Sequence, residues 1–132
     1  MAERFSVRTG GRTDFIDITG AVRKAVETSG LQNGICQVFV PHTTAGVTIN
    51  ENADPDVTTD IINTLDRMVP WTNNYRHFEG NSAAHIKASL MGFSATVPVE
   101  NGKLVFGTWQ CIYFCEFDGP RQRNVIVTVT GE

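Results

Sequence analysis

Alternating and continuously apolar runs dominate the sequence, and they predict a protein built mainly of β-strands. Short polar segments at 100–103 and 118–120 separate the later runs and are typical of turns between antiparallel strands. The predicted strands are residues 3–8, 14–19, 34–41, 46–50, 94–99, 104–117 and 123–131.

Three other segments have the character of helices, and one of them has strong signals at both ends. Asp54 at the N-cap and Pro55 at the first helical position begin this helix, and Pro70 ends it. The other two predicted helices cover 21–28, capped by Asp17 or Thr19 and ended by Gly30, and a segment that begins at Asn81 or Ser82 and ends at Gly92. We therefore predict a single α+β domain over residues 1–132, with an antiparallel β-sheet and two to three helices.

The composition fits one compact domain, since 41% of the 132 residues are hydrophobic and 19% are charged. A net charge of −3, with no basic cluster beyond Arg121 and Arg123, argues against binding to nucleic acid or to an anionic membrane. No run reaches the ~18 apolar residues of a spanning helix, and the first residues lack the apolar core of a signal peptide. We therefore expect a cytoplasmic protein whose three cysteines are buried, reduced thiols.

The three histidines are candidates for a metal site. His42 lies at a bend between two predicted strands, His77 lies in a polar loop, and His85 lies near the start of a helix. Three imidazoles that leave one coordination position open are typical of catalytic zinc and similar transition-metal sites. The alternative is that they are unrelated, as a surface, a loop and a helix-start histidine. Asp54 and Asp56 are explained as helix-start residues in preference to metal ligands.

Other polar groups predict an anion site close to these histidines. The helix that begins near Asn81 would direct free N–H groups and a positive dipole end towards a phosphate. Further candidates for contacts with the phosphate are Thr43, Thr44, Ser82, Lys87 and Arg121. Threonines in strands and Gly-Pro turns are also routine structural features, so the composition alone leaves the phosphate site open.

The predicted strand over 104–117 has two largely apolar faces, and both need to be covered. Because the chain has few helices, a second copy of the protein is one economical cover, and we expect a homo-oligomer. Gln110 and Glu116 would share a mostly apolar face and would need hydrogen-bond partners there. Glu116 is therefore a candidate acid, base or structural anchor for Arg121.

Three blocks of the sequence together resemble the YjbQ family of small bacterial and archaeal proteins. The blocks are HTTAGVTINENADPDV, HFEGNSAAHIKASLMG and GTWQCIYFCEFDGPRQR, in this order, and the resemblance covers nearly the whole chain. It implies a single α+β domain that forms a tight homotrimer, with antiparallel sheets packed about the threefold axis. Members have been called secondary thiamine-phosphate synthases, which implies that they join hydroxymethylpyrimidine diphosphate to a thiazole phosphate with loss of pyrophosphate.

The resemblance also implies which residues form the site. The family pattern is matched by His42, Glu51, Asn52, Asp54, His77, His85, the segment from Gly107 to Gln110, Glu116 and an arginine after the turn. The chain departs from the pattern at two positions, with Thr44 where serine is more common and Cys111 where glycine is more common. The first change keeps a hydroxyl, whereas the second places a side chain where close backbone approach is usual, near Gln110.

The main hypothesis is a homotrimeric enzyme that acts on a phosphorylated small molecule, with thiamine-phosphate synthesis as the named reaction. His42, His77 and His85 would hold a metal or the phosphate, and Glu51 or Glu116 would transfer protons. Imidazoles suit zinc or another transition metal, whereas departure of pyrophosphate normally uses magnesium. The alternatives are a metal-dependent phosphate-ester hydrolase with the same residues and a non-catalytic trimer that binds an anionic metabolite.

Overall fold

The structure, a computed structural model, describes residues 2–132, in which eight strands and three helices alternate along the chain. They are β1 (Ala2–Arg8), β2 (Asp14–Asp17), α1 (Thr19–Ser29), β3 (Gly34–Phe39), β4 (Ala45–Glu51), α2 (Pro55–Met68), α3 (Ser82–Met91), β5 (Ser94–Glu100), β6 (Lys103–Leu104), β7 (Gln110–Glu116) and β8 (Gln122–Gly131). The predicted α+β class is confirmed.

The strands form two antiparallel sheets, of five strands in the order β1-β8-β3-β5-β6 and of three strands in the order β2-β7-β4. The chain crosses from one sheet to the other six times, and two of these crossings lie between β3 and β4 and between β7 and β8. Ala45 pairs with Glu116, so the start of β4 lies beside the end of β7. The two crossings therefore lie next to each other at one end of the sheets.

The main hydrophobic core lies between the two sheets because the inward positions of their strands are occupied by branched and aromatic side chains. Val38 and Val127 come from the five-stranded sheet, and Val47 and Phe114 come from the three-stranded sheet. Helix α1 adds Val22, which is fully buried. Because apolar and polar residues alternate along each strand, each sheet has one apolar face. These two faces pack together as the core, and the core sets the separation of the sheets.

The opposite face of β7 is covered by the chain's own helices. Cys115 and Phe117 pack there with Leu65 of α2 and with Ala84 and Ala88 of α3. The inference that β7 needs a second copy of the protein as cover is therefore wrong, because α2 and α3 supply that cover. The homo-oligomer stays a prediction, which now rests on the family resemblance.

The long strand predicted over 104–117 is also wrong, because the segment is broken between β6 and β7. The Gly107 N–H donates to the side-chain oxygen of Gln110 (2.7 Å), and the Gln110 N–H donates to the Gly107 carbonyl (3.1 Å). This turn moves the chain from the edge of the first sheet to the centre of the second. The Gln110 side chain is thus engaged in a local hydrogen bond within this turn.

The start of α2, the end of α1 and the state of the cysteines follow the sequence closely, whereas the predicted cap of α1 by Asp17 or Thr19 is wrong, because Ile18 is the N-cap residue and makes no side-chain capping bond. Asp54 accepts a hydrogen bond from the Asp56 N–H (2.9 Å), and Gly30 ends α1 with a left-handed conformation at φ 70°. All three cysteines are free and buried, and burial raises the pKa of the Cys36 thiol to about 11. Within residues 2–132, none of the helices combines the length and the apolar composition needed to cross a membrane.

Candidate anion-binding site

A pocket of about 860 Å³ lies where the two crossings between the sheets meet. Its walls come from the segment that joins β3 to β4, from the loop before α3 with the start of that helix, and from the segment that joins β7 to β8. The histidine pocket, as we call it, is lined by His42, Thr43, Thr44, His77, Glu79, Asn81, His85, Asp118, Arg121 and Arg123 and by the apolar residues Phe39, Val40, Pro41 and Phe93. The fold therefore brings all three histidines to one cavity.

His42 is held at the bend after β3 by a backbone contact with β8. Its Nε2 accepts a hydrogen bond from the Asn124 N–H (2.9 Å), so a neutral ring carries its proton on Nδ1. Partial burial, followed by the nearby Arg123 charge, lowers the pKa of His42. The imidazole is thus kept neutral, and its Nδ1–H has no hydrogen-bond partner among residues 2–132.

This pKa shift predicts how stability depends on pH. Because protonation of His42 is disfavoured in the folded state, its contribution is present above the ordinary histidine pKa of about 6.5 and is lost as the pH falls through the lower folded value. We expect the free energy of unfolding to fall more steeply with acidification in the wild type than in His42→Gln. Urea denaturation at a series of pH values measures this. Identical slopes in the two proteins would contradict the assignment.

His77 and His85 lie against each other in the same pocket. Their ring centroids are 5.5 Å apart and the rings meet edge to face. His85 comes from the first turn of α3, whereas His77 comes from the preceding loop, with its Nε2 3.8 Å from a carboxylate oxygen of Glu79. This pair supplies two imidazoles with separate orientations on one side of the cavity.

The three histidines do not fit a shared metal ion in this hydrogen-bonded arrangement. A neutral imidazole binds a metal through its lone pair, and that of His42 is occupied by the Asn124 N–H. His77, His85 and Glu79 are the pocket residues with ligand types suited to zinc or another transition metal. Magnesium prefers oxygen ligands, which Glu79 and Asp118 carry. Binding of any of these ions stays a prediction.

Glu116 lies beneath the pocket as a fully buried carboxylate. It accepts hydrogen bonds from Arg123 Nε (2.8 Å), Arg123 Nη2, Thr9 Oγ1 (2.8 Å) and the N–H groups of Phe117 (3.1 Å) and Asp118 (3.0 Å). Burial alone would raise the pKa of Glu116, but these donors outweigh it and leave the pKa below its usual value. The ion-pair partner of Glu116 is Arg123. The prediction that Glu116 anchors Arg121 by a direct contact is therefore wrong. A buried and fully bonded carboxylate is also poorly placed to exchange protons with a ligand.

Arg123 and Arg121 both line the pocket, Arg123 at a buried position and Arg121 at a more exposed one. Arg123 is buried and its Nη2 also donates to Thr44 Oγ1 (2.7 Å). Arg121 is more exposed, and its Nε donates to the Asp118 carbonyl (2.7 Å). The Arg121 N–H donates to Thr9 Oγ1 (2.8 Å), which in turn donates to Glu116. Glu116 therefore fixes both arginines, one directly and one through Thr9.

The start of α3 adds backbone donors to the same cavity. Asn81 occupies the N-cap position, but its side chain makes no capping hydrogen bond and instead donates to Asp118 (2.9 Å). The first N–H groups of a helix have no partner within the helix, and the dipole makes this end positive. The Asn81 side-chain oxygen is buried and lacks a hydrogen-bond partner in the part of the chain that the structure describes. An anion placed here would meet donors from helix and arginines together.

Six of the residues predicted for the site lie outside this pocket: Glu116, which lies beneath it, and five others. Glu51 and Asn52 lie at the far end of β4, about 20 Å along the strand from its start. Asn52 donates to Asp17 there (2.7 Å). Gln110 is held in its local turn, Lys87 is bonded to Asp66 on another face of α3, and Ser82 begins α3 without lining the cavity. None of these side chains lines the pocket that contains the three histidines.

The sequence predicted Arg123 only as one of the arginines after the Gly119-Pro120 turn, and it did not single out Asp118, Phe39 or Phe93, which also line the pocket. The Phe39 and Phe93 rings stack edge to face with centroids 5.8 Å apart and form an apolar part of the wall. Arg123 had a signal in the sequence, since it shares the alternation of the buried residues Val125 and Val127. A charged residue in a buried register position requires a partner, which here is Glu116.

The fold and the pocket define a small two-sheet α+β protein with a histidine-lined cavity at one end of the sheets, in which Arg121 is paired with Asp118 and Arg123 with Glu116. The chain belongs to the UPF0047 protein YjbQ-like family, whose model matches residues 3–132. It is 48% identical over 132 residues to UPF0047 protein MJ1081 of Methanocaldococcus jannaschii, covering 100% of this chain and 96% of that protein. It is also 48% identical over 132 residues to UPF0047 protein YugU of Bacillus subtilis, covering 99% of this chain and 100% of that protein.

Solved structures agree with this assignment. An uncharacterised conserved protein of the YjbQ/UPF0047 family from Clostridium acetobutylicum has a TM-score of 0.96 and 58% identity, covering 97% of this chain and 99% of that one. A YbjQ-like protein from Sulfolobus solfataricus has a TM-score of 0.96 at 36% identity, covering 100% of this chain and 97% of that one. The family resemblance inferred from the three sequence blocks is confirmed.

Proposed function

We propose that the protein binds a phosphorylated small molecule in the histidine pocket and acts on it with His42 as a hydrogen-bond donor to the leaving group. The observation that carries this proposal is the meeting of three imidazoles, two arginines and the uncapped start of α3 in one cavity. Arg121, Arg123 and the helix N–H groups would offset the charge of a phosphate. The apolar wall of Phe39 and Phe93 would contact the remainder of the molecule.

Electrostatic stabilisation of a leaving group is the chemistry that the arrangement supports best. Because His42 is neutral and its Nε2 lone pair is occupied, it would donate a hydrogen bond through Nδ1–H without transferring the proton. In the thiamine-phosphate synthase reaction implied by the resemblance, the thiazole nitrogen forms a bond to the methylene carbon of the pyrimidine while the carbon–oxygen bond to pyrophosphate breaks, and the pyrophosphate oxygen that takes the electron pair would accept this hydrogen bond. Arg121 and Arg123 would stabilise the same developing charge electrostatically. A divalent ion would supply further neutralisation when bound.

The proposal is tested by assaying the protein with hydroxymethylpyrimidine diphosphate and thiazole phosphate. Thiamine-phosphate formation and release of inorganic phosphate are measured in parallel, so that synthase and hydrolase activities are separated. We expect His85→Ala to abolish turnover with little change in melting temperature, because His85 is only partly buried. Saturable binding without turnover in the wild type would instead support a non-catalytic binder.

Substitution of Arg121 tests the anion-binding part of the proposal separately. We expect Arg121→Gln to weaken binding of inorganic phosphate by about ten-fold, since a charge-assisted contact is lost. Arg67→Gln makes the same change of charge at an exposed position of α2, where the side chain donates a hydrogen bond to Thr64 Oγ1, and should leave affinity unchanged. Isothermal titration calorimetry measures both. Equal affinities in the two variants would contradict the proposed site.

We also propose that the protein is a homotrimer, as the family resemblance implies. Ile35, Phe39 and Phe93 are exposed large apolar side chains on or beside the five-stranded sheet, and such surfaces commonly mark contacts between proteins. Light scattering coupled to size-exclusion chromatography should give three times the chain mass. A monomer mass at micromolar concentration would contradict this.

A further inference from the structure

A second cavity, on another side of α3, contains a buried ammonium group whose bonding is incomplete. Lys87 is only 3% exposed, and its Nζ has a single protein partner among residues 2–132, a carboxylate oxygen of Asp66. An ammonium group carries three N–H donors. Buried charges are normally fully paired because desolvation without compensating hydrogen bonds is costly. Two donors of Lys87 therefore remain available at this position.

The space next to Lys87 is a pocket of about 530 Å³ that also holds a second cation. Arg12 lies over the Trp71 ring, with its Cζ 4.1 Å from the ring centroid. Stacking engages the face of the guanidinium and leaves its N–H edge free to contact a ligand. Thr13 lines the same cavity and adds a hydroxyl.

The charge balance of this cavity favours an anion. Lys87 and Arg12 contribute two positive charges, and Asp66, whose side chain is half exposed, contributes one negative charge. Arg12 presents a planar set of donors suited to two oxygens of one group, and Lys87 adds a point charge beside them. We infer that Arg12, Thr13 and Lys87 form a second ligand site, which binds a small oxyanion carried on a carboxylate or phosphate group.

This site, which we call the Lys87 site, is distinct from the histidine pocket. The two cavities share no lining residue. His85 and Lys87 are two positions apart on α3, so their side chains leave the helix about 200° apart. The inference therefore goes beyond the proposed function and does not depend on the histidines.

The fluorescence of Trp71 provides a direct readout of this site. In a Trp109→Phe background, Trp71 is the one remaining tryptophan of the chain. The full-length protein is titrated with inorganic phosphate and, separately, with succinate. We expect a saturable change of emission with at least one of the two anions, and the more effective anion identifies the group that the site prefers.

Matched variants show whether the Trp71 response arises from an anion bound at the Lys87 site. Arg12→Gln should weaken the apparent affinity by about ten-fold or more, and Lys87→Met should do the same, because each removes a charged donor. Lys24→Met, at an exposed position of α1, and Arg121→Gln, in the histidine pocket, should leave the Trp71 titration unchanged. Arg12 is exposed, so its variant is expected to fold even if Lys87→Met does not.

Two outcomes overturn the inference. One is the absence of a saturable Trp71 response to either anion, and the other is a response of unchanged affinity in Arg12→Gln. If phosphate still binds at the histidine pocket by calorimetry while Trp71 does not respond, the Lys87 site is rejected and the proposed function is unaffected.

Discussion

Glu116→Ala is expected to lower the free energy of unfolding by about 3–5 kcal/mol, because it leaves Arg123 buried without its counter-charge. It also removes the acceptor for the Phe117 and Asp118 N–H groups, which belong to the segment that carries Arg121. Urea denaturation measures the loss. Glu100→Ala, at an exposed position of β5, should change stability by no more than about 0.5 kcal/mol.

A double substitution separates the contribution of the Glu116–Arg123 ion pair to stability from the contribution of side-chain packing at this site. Glu116→Gln keeps an acceptor for the backbone N–H groups, and Arg123→Met removes the buried cation that would otherwise be unpaired. We expect the double variant to be more stable than Glu116→Ala and yet to bind phosphate more weakly than the wild type. A double variant no more stable than Glu116→Ala would show that the ion pair is not the main cause of the loss.

The lowered pKa of Glu116 makes the free energy of unfolding depend on pH in the acidic range. Since the folded state favours the ionised carboxylate, this stabilisation is present above the ordinary glutamate pKa of about 4.3 and is lost as the pH falls through the lower folded value. The wild type should therefore lose stability through this range more steeply than the double variant.

Gly46→Ala is expected to have the second large effect, lowering the free energy of unfolding by about 1–3 kcal/mol. A Cβ at Gly46 would lie 2.6 Å from the Gly92 carbonyl oxygen and 3.1 Å from Met91 Cβ, so β4 and α3 would have to separate. The Val47 N–H donates to the same Gly92 carbonyl (3.1 Å) and would lose that contact. Because α3 carries His85, phosphate affinity should fall as well.

Gly20→Ala is the matched control for this substitution. Gly20 lies in α1, and apart from its chain neighbours and the backbone of the same helix no described atom lies within 4 Å of the added Cβ. Alanine is favoured over glycine in a helix by up to about 1 kcal/mol, so this variant should be equally or more stable than the wild type. Thermal and urea denaturation of the two variants measure the contrast. Equal stabilities would show that the α3–β4 contact is not closely packed.

The sequence predicted those parts of the fold that local chemistry decides. Asp54 and Pro55 marked the start of α2 because capping and a fixed φ act within a few residues. Alternation identified most strands for the same reason, since each strand has one face towards the core. The histidines were recognised as candidates from their settings and from the family blocks, and the fold places all three in one pocket.

Long-range placement could not be predicted in the same way. Glu51 follows His42 by nine residues, but an extended β4 carries it to the other end of the sheet. Lys87 is two residues from His85, but the helical rotation turns it towards Asp66. The role of Arg123 depends on how β8 of the five-stranded sheet packs against β4 and β7 of the other sheet, which a single sequence does not reveal.

The central claim is that the histidine pocket binds the phosphate of a small molecule. It is tested most directly by an NMR titration of isotopically labelled protein with inorganic phosphate, following the Ser82 and Ala83 amides and the His42 ring. We predict saturable shifts of these signals with a common affinity that weakens in Arg121→Gln and not in Arg67→Gln. If these signals do not shift with phosphate, or shift equally in both variants, the pocket is not a phosphate site.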